Sequence, residues 1–204
     1  MAAPALVSDV GKVLIDFDFS VAARRLAEKS PHPAESVLSL LDGIKPAYED
    51  GRMTDAEFVA EAVRLTGFTG TAAEFEAIWC EIFTQNEPMH ATLGRLQGKL
   101  PMHLLSNTSG LHKEYFLRSF DIFRHFQDGV YSHEARCSKP GEEIFRQTIA
   151  KFDLDPARTF YIDDLLPNIE TAARLGFRTF HYRFDLHARL EAELAEWLAS
   201  QGIG

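Results

Sequence analysis

The chain has 204 residues, 46% hydrophobic and 25% charged, which suits one globular domain carrying a large insertion, or two small domains. Its net charge is −9, with Asp+Glu 30 against Lys+Arg 21 and no basic run, which argues against nucleic-acid binding. The two cysteines, Cys80 and Cys137, are too few for a disulfide framework and point to reduced thiols in the cytoplasm, while the absence of a long apolar run or a basic-then-apolar leader argues against a membrane or secreted protein.

Residues 5–9 read as a buried strand ending in Asp9. Gly11 follows as a tight turn, and Lys12 to Phe17 read as a turn-and-hairpin segment in which Val13 and Ile15 alternate with Leu14 and Asp16. From Asp18 the period becomes helical, with Val21, Ala22, Leu26 and Ala27 on one stripe and Asp18 as its cap. Pro31 and Pro33 break the chain, and Val37 to Leu41 suggest a second short helix. Asp50 to Met53 read as a turn. Thr54-Asp55-Ala56-Glu57 and Thr71-Ala72-Ala73-Glu74 are capping boxes, each leading a helical run; the second run extends to Phe83. Residues 18–87 are therefore predicted to be all helical, with Pro88 as the stop.

Beyond that point strands and helices alternate. Met102 to Leu105, Gly129 to Tyr131, Thr159 to Ile162 and Arg178 to Phe180 read as strands. Helices are predicted around Leu93, over 111–117, 142–152 and 167–175 with Gly176 as the stop, and over 186–198. The pattern predicts an α/β fold with a doubly wound parallel sheet. The first strand precedes the helical block and the others follow it. The block thus reads as an inserted cap (18–87) on a core of residues 1–17 and 88–204.

Three strand ends carry polar groups: Asp9, Ser106-Asn107 and Asp163-Asp164. Ser138-Lys139-Pro140 precedes a helix. A parallel sheet brings all its carboxyl ends to one edge, so these groups can converge. Each alone is an ordinary turn former, cap or surface residue. Together they suit phosphoryl transfer through an aspartyl-phosphate, with Asp9 as nucleophile, a hard cation shared by Asp9 and a tail carboxylate, and Ser106 and Lys139 as phosphate donors. The histidines lack metal-ligand spacing, and only His112 and His133 could approach the site from loops. Phe17, Phe19, Trp79 and Phe83 read as cap packing rather than substrate platforms.

In order, the motifs are Asp9-Val10-Gly11, Leu105-Ser106-Asn107, Lys139-Pro140, and Ile162-Asp163-Asp164 with Asn168. Their order and spacing resemble the haloacid dehalogenase-like (HAD) hydrolase superfamily, in the subfamily with a helical cap after the first motif. The resemblance implies a Rossmann-like core and a Mg2+-dependent hydrolase of a small phosphorylated metabolite. It implies Asp9 as nucleophile and metal ligand, with the Gly11 carbonyl and Asp164 completing the protein ligands. Ser106, Asn107 and Lys139 would hold phosphate, with Asp163 and Asn168 in support. One departure stands out. Phosphatases of this superfamily commonly carry a general acid two residues after the nucleophile, where this chain has Gly11. Similar members with glycine there look like sugar-phosphate phosphatases, of the glucose-1-phosphate type. A water, a cap residue or a substrate hydroxyl could replace the acid. Two alternatives stay open: a dehalogenase, against which Asp163-Asp164 argues, and a catalytically weak phospho-ligand-binding protein. Lys12 is unusual at its position and is read as solvated.

Overall fold

The structure is a computed structural model describing residues 2–204. Its strands, in chain order, are β1 (Ala5–Ser8), β2 (Ile15–Phe17), β3 (Phe83–Gln85), β4 (Met102–Ser106), β5 (Asp128–Tyr131), β6 (Thr159–Asp163) and β7 (Arg178–His181). Five of them form a parallel sheet in the order β5-β4-β1-β6-β7. β1, β4 and β6 are buried at every residue, as strands covered on both faces must be. The pleat sorts β1 between two cores: Leu6 packs with Leu104, Phe160 and Trp197 on one face, and Val7 with Leu105, Tyr161 and Phe145 on the other.

Register sets the site. Ser8 lies opposite both Leu104 and Ile162, so Asp9 and the ends of β4 and β6 emerge side by side at one edge of the sheet.

The helices between β2 and β3 are α1 (Phe19–Ala27), α2 (Ala34–Val37), α3 (Lys45–Glu49), α4 (Asp55–Thr66) and α5 (Ala72–Cys80). They share their own core, built on Leu26, Val37, Phe58, Phe75 and Trp79. Local signals start these helices as predicted. Asp18 accepts a hydrogen bond from the Ser20 amide at 2.8 Å, and Thr54 and Thr71 each form a complete capping box. The predicted helix over 37–41 is α2 followed by a 3-10 turn, Ser39–Leu41. The remaining helices, α6 (Glu87–Gly94), α7 (Gly110–Ser119), α8 (Ser132–Ala135), α9 (Glu142–Phe152), α10 (Leu166–Arg174) and α11 (His187–Ser200), belong to the segments joining or following the sheet strands.

The sequence reading needs correction in three places. Residues 18–87 are not wholly helical: α5 ends at Cys80, and Phe83–Gln85 is a strand paired antiparallel with β2. Phe75, Trp79 and Phe83 continue a four-residue spacing, which mimics a helix. The ribbon instead joins the chain as it enters and leaves the insertion, with Phe17 edge-on to Phe83 at 6.3 Å. Pro88 does not stop a helix but sits in the first turn of α6, where its missing N–H costs nothing; Asn86 caps that helix. The short helix α3 falls where no helix was predicted, with Pro46 again in a first turn. Among the described residues no helix is long and apolar enough to cross a membrane.

Candidate active site

Asp9 directly follows β1, and its amide still donates to the Ile162 carbonyl at 2.9 Å. That bond fixes the backbone under a side chain only 11% exposed. Lys139 reaches the same point from the loop before α9. Its ammonium donates to Asp9 Oδ1 at 2.8 Å, to Asp163 Oδ2 at 2.7 Å and to the Leu105 carbonyl at 2.8 Å. All three of its N–H donors are therefore engaged. Asn107 explains why Lys139 is held there: its Nδ2 donates to the Lys139 carbonyl at 2.8 Å, and the Lys139 amide donates to its Oδ1 at 2.9 Å. The Asn107 carboxamide thus grips the Lys139 backbone at the edge of both clefts.

Asp163 and Asp164 are adjacent in sequence and differ in surroundings. Asp163 is fully buried and accepts from Lys139, the Tyr161 hydroxyl, the Leu165 amide at 2.8 Å and Asn168 Nδ2 at 2.9 and 3.1 Å. Its oxygens are taken up by donors that lock it in place. Asp164 is half-buried and turned toward Asp9. Asp9, Asp163 and Asp164 each offer an oxygen within 4.8 Å of the others. Such a cluster of hard anionic oxygens fits a small divalent cation.

Burial pushes the Asp9 carboxyl up to about 7, with Lys139 pulling it down and Asp163 pushing it up further. Burial and Asp163 also raise Asp164. Burial alone would lower Lys139, but the Asp9 and Asp163 carboxylates outweigh it and keep the ammonium protonated. A cation between Asp9 and Asp164 would hold both as carboxylates.

The carboxylate cluster opens into a cleft lined by Asp9, Gly11, Lys12, Asn107, Lys139 and Asp164. A second cleft shares Gly11, Phe17 and Asn107 with the first. Ser106, buried at the end of β4, lines this second cleft. So do Phe17, Phe19 and Phe83, which pack against the cap core as predicted and also present part of their rings to the cleft; Trp79 is wholly core, at 1% exposure. The β2–β3 ribbon places Phe17 opposite Phe83 and brings the Phe17 ring against Gly11, while Phe19 comes from the start of α1. His112 also lines the cleft, from α7. Its Nε2–H donates to the Trp79 carbonyl at 3.1 Å, and burial drops its pKa to about 4, so the ring is neutral. His133 hydrogen bonds to the Thr108 carbonyl through Nδ1 at 2.9 Å.

The turn after Asp9 is built in an unexpected way. Its left-handed residue is Lys12, with φ of 57°, and not Gly11. At Gly11 the approach is close, since a Cβ there would meet the edge of the Phe17 ring at 3.0 Å. Lys12 is not free in solvent either. It pairs with Asp16, donates to the Phe17 carbonyl at 3.0 Å and lies 4.4 Å over the Phe17 ring.

A family model described as haloacid dehalogenase-like hydrolase matches residues 4–176. Among solved structures, a HAD family enzyme from Bacteroides thetaiotaomicron, in complex with magnesium and inorganic phosphate, is 26% identical with a TM-score of 0.78, covering 88% of this chain and 93% of that one. A predicted HAD-like family hydrolase from Porphyromonas gingivalis is 25% identical with a TM-score of 0.74, covering 92% of this chain and 97% of that one. No curated protein matches the sequence. The family match spans most of the chain and covers four of the five parallel strands, together with Asp9, Lys139 and the acidic pair. The chain belongs to the haloacid dehalogenase-like hydrolases.

Proposed function

We propose that this hydrolase is a magnesium-dependent phosphatase of a small phosphomonoester, with a sugar phosphate as the substrate type, acting through a phosphoryl group carried on Asp9. The observation that supports this most is the buried cluster itself: one ammonium clamped between two carboxylates, with a third carboxylate beside the Asp9 oxygens. The magnesium and phosphate held by the Bacteroides relative support the same reading.

In this reading an Asp9 oxygen attacks phosphorus and the ester oxygen leaves. Lys139 orients the Asp9 carboxylate and balances its charge. Asp163, fixed by Tyr161, Leu165 and Asn168, holds Lys139 in turn. Asn107 sets the lysine's backbone. Asp9, Asp164 and the Gly11 carbonyl would hold the cation, whose positive charge offsets repulsion between carboxylate and phosphate. Ser106 and backbone amides at the end of β4 donate to phosphate oxygens. The aromatic walls of the second cleft exclude water and receive the organic part of the ester.

The test is hydrolysis of a panel of phosphomonoesters with and without chelator. Phosphate release that stops with chelator and returns with magnesium supports the reading. Halide release from a haloacid in excess chelator, with no phosphate release, contradicts it and selects dehalogenase chemistry.

A further inference from the structure

We infer that Glu49 of the cap is the general acid and base missing at Gly11, an assignment that rests on the phosphatase reading above. Glu49 ends α3 and lines the aromatic cleft together with Gly11, Ser106 and Asn107. The side chain absent from the core edge is thus matched by a carboxyl from the facing element. Of the residues lining that cleft, Glu49 is the one carboxylic acid.

Its placement is fixed, not incidental. The Ser132 hydroxyl donates to the Glu49 carbonyl at 2.7 Å, and the Ser138 hydroxyl donates to Asp50 Oδ1 at 2.8 Å. The Leu111 amide donates to the Tyr48 hydroxyl at 3.2 Å. Three consecutive cap residues are therefore tied to the core, one of them through the neighbour of Lys139. Gly51 seals the joint: its φ is +70°, and a Cβ there would lie 1.9 Å from the His133 carbonyl oxygen. Only glycine lets the turn come this close. These bonds hold the turn while the Glu49 carboxyl itself has no hydrogen bond or ion pair to the described residues. Half-burial raises its pKa, opposed by Lys45 and reinforced by Asp50. Such a carboxyl is suited to holding a proton and giving it up.

The chemistry balances in two halves. In the first, an Asp9 oxygen bonds to phosphorus, the ester P–O bond breaks, and its electron pair stays on the leaving oxygen. That oxygen takes the Glu49 proton and departs as an alcohol. In the second, the Glu49 carboxylate takes a proton from water as the water oxygen bonds to phosphorus. The Asp9–phosphorus bond breaks, inorganic phosphate leaves, and both carboxyls return to their starting states. A leaving alcohol of high pKa needs this proton most, so the device fits alkyl and sugar phosphates.

Glu49→Gln keeps the shape of the side chain and loses the titratable proton. For the unaltered enzyme, kcat/KM should change little with leaving-group pKa across phosphomonoesters of similar size. For Glu49→Gln it should fall about 10²–10⁴-fold with an alkyl phosphate. With nitrophenyl phosphate kcat/KM should hold within a few fold, because nitrophenolate leaves unassisted. That variant should also release a burst of about one nitrophenolate per site and then turn over slowly, since water attack lacks its base. Equal slopes in the two proteins, or no burst in Glu49→Gln, would overturn the assignment. Asp9→Asn separates the two claims. If Asp9→Asn turns over nitrophenyl phosphate like the unaltered enzyme, Asp9 does not carry the phosphoryl group and the Glu49 assignment falls with it.

Discussion

Replacing Lys139 with Met deletes one buried ammonium and leaves two buried carboxylates facing each other. The ammonium is 1% exposed and donates to Asp9, Asp163 and the Leu105 carbonyl at 2.7–2.8 Å. Breaking a single buried ion pair costs about 3–5 kcal/mol, mainly by stranding the partner charge. Here two partners are stranded, but Asp163 keeps three other donors and Asp9 opens onto a cleft, so about 4 kcal/mol is the expected loss. For a chain of this length each 1 kcal/mol moves Tm by about 2–4 °C, so Lys139→Met should melt roughly 10 °C lower. The assay is thermal unfolding in chelator, followed by circular dichroism. Adding Asp163→Asn to Lys139→Met removes one stranded charge and should recover part of the loss, a coupling that distant sites would not show. A Lys139→Met protein melting within 2 °C of the unaltered one, or a double variant less stable than the single one, would refute the bridging argument.

Asp164→Asn should weaken magnesium binding more than Asp163→Asn, because the Asp163 oxygens are taken by protein donors; calorimetric magnesium titrations of both decide this. Asp163→Asn should instead cost more stability, read by urea unfolding in chelator. Gly51→Ala should destabilise by about 1–3 kcal/mol for its left-handed φ, and by more for the clash with the His133 carbonyl; activity toward alkyl phosphates should fall with it, in the same urea and kinetic assays. His112 is held neutral, with its pKa dropped from 6.5 to about 4, so the unfolded chain takes up the proton first as pH falls. Stability from this residue is present above pH 6.5 and lost between 6.5 and about 4, by about 3 kcal/mol at 1.36 kcal/mol per pH unit. His112→Gln should lose correspondingly less over that range, and identical pH profiles for the two proteins would contradict the burial argument.

The sheet was legible because its strands end in chemistry. Asp9, Ser106 and Asp163 each close an apolar run, and parallel pairing brings such ends to one edge. Helix starts were legible because capping is local: Asp18, Thr54 and Thr71 each bond within three residues. What depended on distant partners was not legible. β3 is three residues long and acquires its strand character only from β2. The Asn107 carboxamide carries the same letters whether it binds phosphate or grips a backbone 32 residues away. Glu49 carried no signal in the sequence, because its place on the cleft shared with Gly11 depends on bonds from Ser132 and Ser138. Gly11 was read as lacking an acid, and the carboxyl proposed in its stead lies on a different layer of the molecule.

The central claim is that Asp9 carries the phosphoryl group. The direct measurement mixes excess enzyme with a phosphomonoester labelled in its phosphate, quenches in acid within one turnover, and maps the label by peptide mass spectrometry. Hydroxylamine-sensitive label should be found on the peptide holding Asp9, appearing before inorganic phosphate, discharged as fast as turnover, and absent in Asp9→Asn. Turnover with no covalent label at any quench time, or label on another residue, would contradict it.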